Sequence, residues 1–292
     1  MKVLYSIRDF FIQLITFAVY SLWQVLPINT ASGIGAFIIT ILSRKYHRTT
    51  AATRKMLGRL NPEYTESDLD RIIRAMWDNI GRVWAESLIT HRLARHRLTI
   101  SGEEKLDAVT RLQCPVIVPF LHTGSWELIT HVLVSRGIVC NSIIEVQQRP
   151  LFDFMLNHAR RQNRLHLIKP DFHGRRQIMQ CLSRGEFLGM GLDEYKDGKV
   201  LCPRFGRTIN TPNNLDFCLR LARKYEAVLL PMLVMREPGV RFTLTIFDAI
   251  PVTRETDDTA LEKIKSDLDS WAENHVRRHI EQWYMVQRFR FG

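Results

Sequence analysis

The stretch that most constrains the fold is Cys114-Pro115-Val116-Ile117-Val118-Pro119-Phe120-Leu121. It is short, apolar and rich in β-branched residues, which suits a strand of a parallel sheet buried on both faces. Thr123-Gly124-Ser125 after it is turn and cap chemistry, and Trp126 to Ser135 has helical content. His122 is thereby predicted at the carboxyl end of a strand, where open α/β sheets place their ligands. Glu127 is expected in the first turn of the next helix, close enough to fold back onto the imidazole. A carboxylate that holds one ring nitrogen leaves the other free to act as a base. A histidine at a strand end commonly serves as a hydrogen-bonded structural residue. Here the strand before it and the Gly-Ser-Trp beside it favour the functional reading.

Beyond Leu98 the same pattern repeats. Apolar strands are predicted near Val116–Leu121, Ile138–Ile144, Leu165–Ile168, Phe187–Leu192 and Val228–Val234. Helices lie between them near Trp126–Ser135, Leu151–Gln162, Arg175–Ser183 and Leu215–Tyr225. This alternation implies an α/β fold, a mainly parallel sheet flanked by helices. Phe242–Phe247 alternates well enough for a further, antiparallel edge strand, and Asp258 to His279 reads as a long charged helix. Upstream, Thr65-Glu66-Ser67-Asp68 offers caps before Leu69, Ile72, Ile73, Met76, Ile80 and Val83, which recur at helical spacing. That stripe reads as core packing, with Trp77 and Trp84 as large anchors. Residues 46–97 are therefore a helical entry to an α/β core with a C-terminal helix over 98–292.

Residues 1–45 differ, and we expect an N-terminal membrane-anchoring helix there. Phe10 to Ile28 is apolar and uncharged, close to the roughly 20 residues a spanning helix needs. Gly33 to Leu42 is a second apolar run, too brief to span alone. Arg44, Lys45, Arg48, Arg54, Lys55 and Arg59 follow it and favour a cytoplasmic location for that flank. Lys2 and Arg8 pull the other way, so an in-plane amphipathic helix stays open. A cleaved signal peptide ending near Thr30-Ala31-Ser32 is the rival. The second apolar run and the free cysteines argue against it.

Charge narrows the partners. Lys and Arg number 41 against 30 Asp and Glu, a net +11 that points to an anionic partner such as a phospholipid surface. Nucleic acid is disfavoured: there is no zinc spacing, recognition-helix pattern or aromatic RNA-binding strand. Cys114, Cys140, Cys181, Cys202 and Cys218 are scattered, odd in number and mostly inside apolar runs. They read as buried thiols in a reducing compartment, and neither a metal nor a redox cofactor is indicated.

His122-x4-Glu127 resembles the His-x4-Asp/Glu motif of glycerolipid-type acyltransferases. With Gly124 and Trp126 inside it, the local form resembles the lipid A biosynthesis (lauroyl/myristoyl) acyltransferase family. Other segments agree in order along nearly the whole chain. Trp77-Asp78-Asn79-Ile80-Gly81-Arg82 with Glu86 resembles the family's Trp-x-Asn-x-Gly-Arg segment, and Arg149-Pro150-Leu151 its Arg-Pro-Leu. Arg160-Arg161 lie near its helix arginine. Gly185 to Asp193 resembles its glycine, apolar strand and aspartate, and Glu281-Gln282-Trp283-Tyr284 with Arg288 its ending. Ser125, Glu194, Met285 and Gln287 depart from the family pattern, which bears on substrate detail more than on chemistry.

The resemblance implies acyl transfer from an acyl carrier protein thioester to a hydroxyl of a lipid A precursor. The expected setting is the cytoplasmic face of the bacterial inner membrane, with an anionic membrane surface as a further partner. In this reading His122 is the general base and Glu127 its orienting carboxylate. Arg160 or Arg161 steadies the oxyanion, aided by backbone N–H groups after Gly124. Arg149, Arg204 and Arg207 are the candidates for gripping the acceptor's phosphate. Asp193 either positions an acceptor hydroxyl or sugar, or pairs with a nearby arginine. No Gly-x-Ser-x-Gly elbow surrounds Ser125, so direct transfer is favoured over a covalent intermediate. Two other readings stay open: an acyltransferase for another lipid acceptor, and a non-catalytic membrane-surface protein.

Overall fold

In the computed structural model, residues 17–144, 150–162, 165–196 and 198–291 are described. The described residues begin with three helices: α1 over residues 17–25, α2 over Ile28–Ser43 and α3 over His47–Leu60. Pro27, which lacks an N–H, separates the first two at a position where a helix needs no donor. α4 (Glu66–Glu86) follows, opened by a reciprocal capping box between Thr65 and Asp68. α5 (Thr90–His96) then leads to β1 (Leu98–Ser101) and α6 (Glu103–Arg111).

The core comprises β2 (Val116–Phe120), α7 (Glu127–Ser135), β3 (Cys140–Ile143), α8 (Pro150–Gln162), β4 (His166–Ile168), α9 (Phe172–Ser183) and β5 (Phe187–Gly191). A small hairpin, β6 (Tyr195–Lys196) and β7 (Lys199–Val200), precedes α10 (Asn214–Tyr225). The chain continues through β8 (Val228–Leu229), β9 (Met232–Glu237), β10 (Arg241–Ile246), β11 (Ile250–Pro251) and α11 (Asp258–Arg278). The main sheet runs β1-β10-β9-β2-β5-β3-β4, with β8 beside β2 and β11 beside β8. β2, β5, β3 and β4 are mutually parallel, and β9–β10 is an antiparallel hairpin. The α/β architecture read from the sequence is thus present. Two details change. The strand expected over Val228–Val234 divides at Pro231 into β8 and β9, and β10 is covered on its outer side by β1, so it is not the edge.

The uninterrupted apolar character of β2 has its cause in this layering. Val116, Val118 and Phe120 join the cluster that includes Leu128, Val132 and Leu133 of α7. Ile117 and Leu121 join the opposite cluster with Met76 of α4, Cys218 of α10 and Val276 of α11. Successive strand residues face opposite sides, so a strand covered on both must be apolar throughout.

Residues 28–43 do not stand apart from this body. Ile28, Ala31, Ser32, Gly35 and Ala36 are buried against α4. At the crossing, a Cβ on Gly35 would collide with the Gly81 backbone oxygen and one on Gly81 with the Gly35 oxygen, so only glycines permit it. The boundary drawn at residue 45 therefore cuts across a packed helix pair. α1 packs as well: Tyr20 is buried with Leu88, Met155 and Ala159, and Gln24 donates to the Leu88 carbonyl at 2.9 Å. No helix among the described residues is long and apolar enough to cross a membrane. The first part of the expected anchor, up to residue 16, lies outside the described residues.

Candidate active site

The turn after β2 is built from the backbone outward. Gly124 adopts φ +52°, and a Cβ there would lie 2.7 Å from the Val234 oxygen, so glycine alone suits both demands. Thr123 Oγ1 donates to the same carbonyl at 2.9 Å. The Tyr284 N–H donates to the His122 carbonyl at 2.8 Å, so the C-terminal segment is stitched to the turn. His122 is thereby fixed just beyond β2, its ring edge-on to Trp126 at 4.9 Å between centroids.

The carboxylate on its imidazole is Asp193, just beyond the end of the neighbouring strand β5. His122 Nδ1 is 2.8 Å from Asp193 Oδ1, and the His122 backbone N–H donates to Oδ2 at 3.0 Å. Trp283 Nε1 donates to the same Oδ2 at 2.7 Å. Asp193 and Trp283 are both fully buried. A carboxylate only accepts, so Nδ1 carries the proton and Nε2 keeps its lone pair. Among the described residues Nε2 has no hydrogen-bond partner, and the imidazole lines a cavity.

The carboxylate–imidazole pairing expected of Glu127 is therefore corrected. Glu127 does sit in the first turn of α7, but its carboxylate faces α8 and receives Arg160, with Nε 3.1 and 3.2 Å from its two oxygens and a further close bond from Nη2. Trp126 and Asp193 occupy the flanks of the imidazole that Glu127 would need. Asp193 likewise pairs with a histidine and an indole where an arginine or an acceptor group was expected.

Glu127 and Arg160 nonetheless share the cavity with His122. Its wall also includes Trp84, Phe120, Ile144, Leu156, Tyr284 and Arg288. Arg160 Nη1 is sealed from solvent and makes no hydrogen bond among the described residues. A buried guanidinium donor left open beside a base is a group waiting for an oxygen. Burial by itself pushes the His122 imidazole down. The charge and hydrogen bond of Asp193, with the charges of Glu194 and Glu127, outweigh it, and its pKa stands above the ordinary 6.5.

Gly191, the last residue of β5, makes room for the ring. A Cβ there would come 2.5 Å from His122 Cε1. Gly191→Ala should displace the imidazole while the rest of the strand holds, and a displacement near 1 Å costs about 10²-fold in rate. Steady-state kinetics beside an unchanged thermal transition checks this; wild-type turnover would show that the ring can yield without consequence.

The other arginines distribute as follows. Arg149 lies outside the described residues. Arg161 is exposed and away from the cavity wall. Arg207 was expected to grip phosphate; instead it donates to the carbonyls of Arg204, Arg290, Val200 and Pro203 and stacks over Phe289. Its donors are committed to closing a loop. Arg204 pairs with Asp269 and is absent from the cavity wall. Four buried thiols are inert by environment: burial pushes Cys140 and Cys218 up to about 12, Cys181 up to about 11 and Cys202 well above its ordinary value. Among the described residues no group of three or more His, Cys, Asp or Glu could hold a metal ion.

A second polar cluster lies behind the site, largely unforeseen from the sequence. Arg236 near the end of β9 makes a bidentate pair with buried Glu86, at 2.6 and 2.7 Å. Ser32 Oγ donates to Glu86 at 2.7 Å, and Arg236 Nε donates to Asn79 at 3.2 Å. Asn79 in turn donates to the Gln282 carbonyl at 3.1 Å, while the Gln282 side chain exchanges two bonds with the Arg236 backbone. Asn79, Glu86 and Gln282 thus belong to one clamp, which holds the segment delivering Trp283 to Asp193. The signal available was Glu86 itself, a carboxylate on the apolar stripe of α4, which demands a buried cation.

Comparison with known proteins bears on the identity of this site. No curated protein matches the chain. Among solved structures, the 1-acyl-sn-glycerophosphate (LPA) acyltransferase PlsC from Thermotoga maritima is similar at 12% identity, covering 87% of this chain and 97% of that one, with a TM-score of 0.41. The bacterial lipid A biosynthesis acyltransferase family matches residues 2–291, which takes in both strand ends of the site, the ion pair of α7 with α8 and the C-terminal clamp. On that nearly complete match, the chain belongs to the bacterial lipid A biosynthesis acyltransferase family.

Proposed function

We propose that this enzyme moves a fatty acyl group from an acyl carrier protein thioester to a hydroxyl of a lipid A precursor, at the cytoplasmic face of the bacterial inner membrane. The observation that carries the chemistry is the His122–Asp193 dyad, with Nε2 open to a cavity that also holds an unpaired donor of Arg160. The acceptor hydroxyl gives its proton to Nε2 as its oxygen bonds to the thioester carbon. Asp193 holds the ring and stabilises the imidazolium. Negative charge then develops on the former carbonyl oxygen, and Arg160, fixed by Glu127, is the donor positioned for it. Collapse breaks the carbon–sulfur bond, and the thiolate recovers the proton from His122. Every atom is accounted for without a covalent enzyme intermediate.

In this reading Glu127 acts through Arg160, not through His122. The acceptor phosphate falls to Arg149 and to Arg288, which lines the cavity beside Arg160.

Mass spectrometry of lipid products tests the proposal. Wild-type protein given acyl carrier protein thioesters and a tetra-acylated lipid A precursor should add one acyl mass, and His122→Ala should add none while remaining folded. Product formed only from lysophospholipids would assign a different acceptor. Equal product from both proteins would remove His122 from the reaction.

A further inference from the structure

α2 has two faces with opposite fates. One is buried on α4; the other exposes Phe37 at 66% and Ile41 at 46%, with Ile38 beside them. Large apolar side chains at that exposure, neighbours on one helix, form a surface that water does not favour. Just beyond this stripe, Thr40 and Ser43 of the last turn of α2 and Arg44 after it line a groove between α2, α3 and α4 of about 420 Å³, within the roughly 300–1,000 Å³ of sites that hold small organic groups. Its wall carries Arg44, His47 and Arg74, the hydroxyls of Ser43 and Thr50, and the side of Trp77.

The cations there divide into committed and uncommitted. Arg54 is bonded to Glu66 and Asp70. Arg44 and Arg74 are exposed and make no hydrogen bond or close ion pair among the described residues, the charge of Arg74 acting on Asp70 only at longer range. Thr50 already accepts from Trp77 Nε1 at 3.2 Å, which leaves its hydroxyl proton to donate outward. Two exposed guanidinium groups with open donors, a hydroxyl donor and a nearby exposed apolar stripe match one kind of molecule: phosphate at one end and hydrocarbon at the other.

We propose that this groove binds the phosphate headgroup of an anionic phospholipid, with the lipid's acyl chains lying along Phe37, Ile38 and Ile41. An acidic protein would match the arginines but leave the apolar stripe uncovered. A phospholipid satisfies both, and guanidinium is the side chain suited to gripping a phosphate by two hydrogen bonds. The site is separate from the His122 cavity, so its occupancy is read without turnover.

Native mass spectrometry of the full chain in mild detergent provides the test. Titration with phosphatidylglycerol should leave one lipid retained by the wild type. Phosphatidylcholine, whose choline opposes the arginines, and the Arg44→Ala/Arg74→Ala variant should each retain lipid about tenfold more weakly or worse. Both arginines are exposed and make no hydrogen bond or close ion pair among the described residues, so the variant's thermal transition should stay near that of the wild type. Equal retention of both lipids, or equal retention by wild type and variant, overturns the proposal. Displacement of the lipid by millimolar glycerol phosphate would show a soluble phosphate site and overturn the lipid assignment. Loss of carrier-protein binding in the variant, with phosphatidylglycerol retention intact, would transfer the groove to a protein partner.

Discussion

Asp193→Asn is expected to lower kcat by about 10²–10⁴-fold, the span associated with a positioned acid–base group, in a protein that stays folded. Asparagine keeps the shape of the carboxylate but removes its charge and turns one of the two oxygens that receive the imidazole, the His122 N–H and the Trp283 indole into a donor. The pH profile makes the test specific. In the intact protein the His122 pKa is held above 6.5, because Asp193 and its neighbours outweigh the lowering effect of burial. A base acts in its neutral form, so kcat/KM should rise with pH through a value above 6.5. In Asp193→Asn burial is opposed less, and the ascending limb should move to lower pH even as the plateau falls. A limb that stays in place with turnover near wild type would sink the dyad. Trp283→Phe tests the same relay from behind: it removes the indole donor, keeps the bulk, and should shift the limb less than Asp193→Asn.

The largest stability effect is expected at Glu86. The carboxylate has no exposure and the Arg236 side chain only 13%, so removing one partner strands a buried charge. Glu86→Ala should destabilise by roughly 3–5 kcal/mol, read as the denaturant midpoint with an unchanged slope. Replacing both charges, as Glu86→Leu with Arg236→Met, should recover most of that loss, since desolvation of the pair offsets much of its attraction. If single and double variants fall equally, Glu86 serves by shape and not by charge. Activity should fall in the single variant beyond the loss of folded protein, because Arg236 also holds Gln282 next to Trp283.

How far the sequence carried these conclusions depends on the range of each interaction. His122 at a strand end was legible because the apolar run, the turn residues and the helix that place it are contiguous. Asp193 was visible at another strand end for the same reason. That the two ends are neighbours was not, because β3 and β4 intervene in the chain while β5 lies beside β2 in the sheet. Glu127 was assigned to the imidazole by proximity in sequence. On the first turn of α7 it is nearer in space to Arg160, and charge found charge. Arg207 carried no local sign that its donors would close a loop. The packing of α2 was within reach: Ile28, Ala31, Ser32, Gly35 and Ala36 fall at helical spacing, with small residues where another helix comes close. The apolar character of the run masks this small-residue face.

The clamp around Arg236 also has a dynamic meaning. Ser32 on α2, Asn79 and Glu86 on α4, Arg236 on β9 and Gln282 in the C-terminal segment share one set of buried bonds. Loss of Glu86 or Arg236 strands the other's charge, and loss of Gln282 leaves the Asn79 amide without its acceptor. These distant segments are expected to open as one cooperative foldon, their amide protons exchanging together in native-state hydrogen exchange. The segment that carries Trp283 to Asp193 is consequently expected to open only together with this unit, leaving smaller motions to the side chains of the cavity wall.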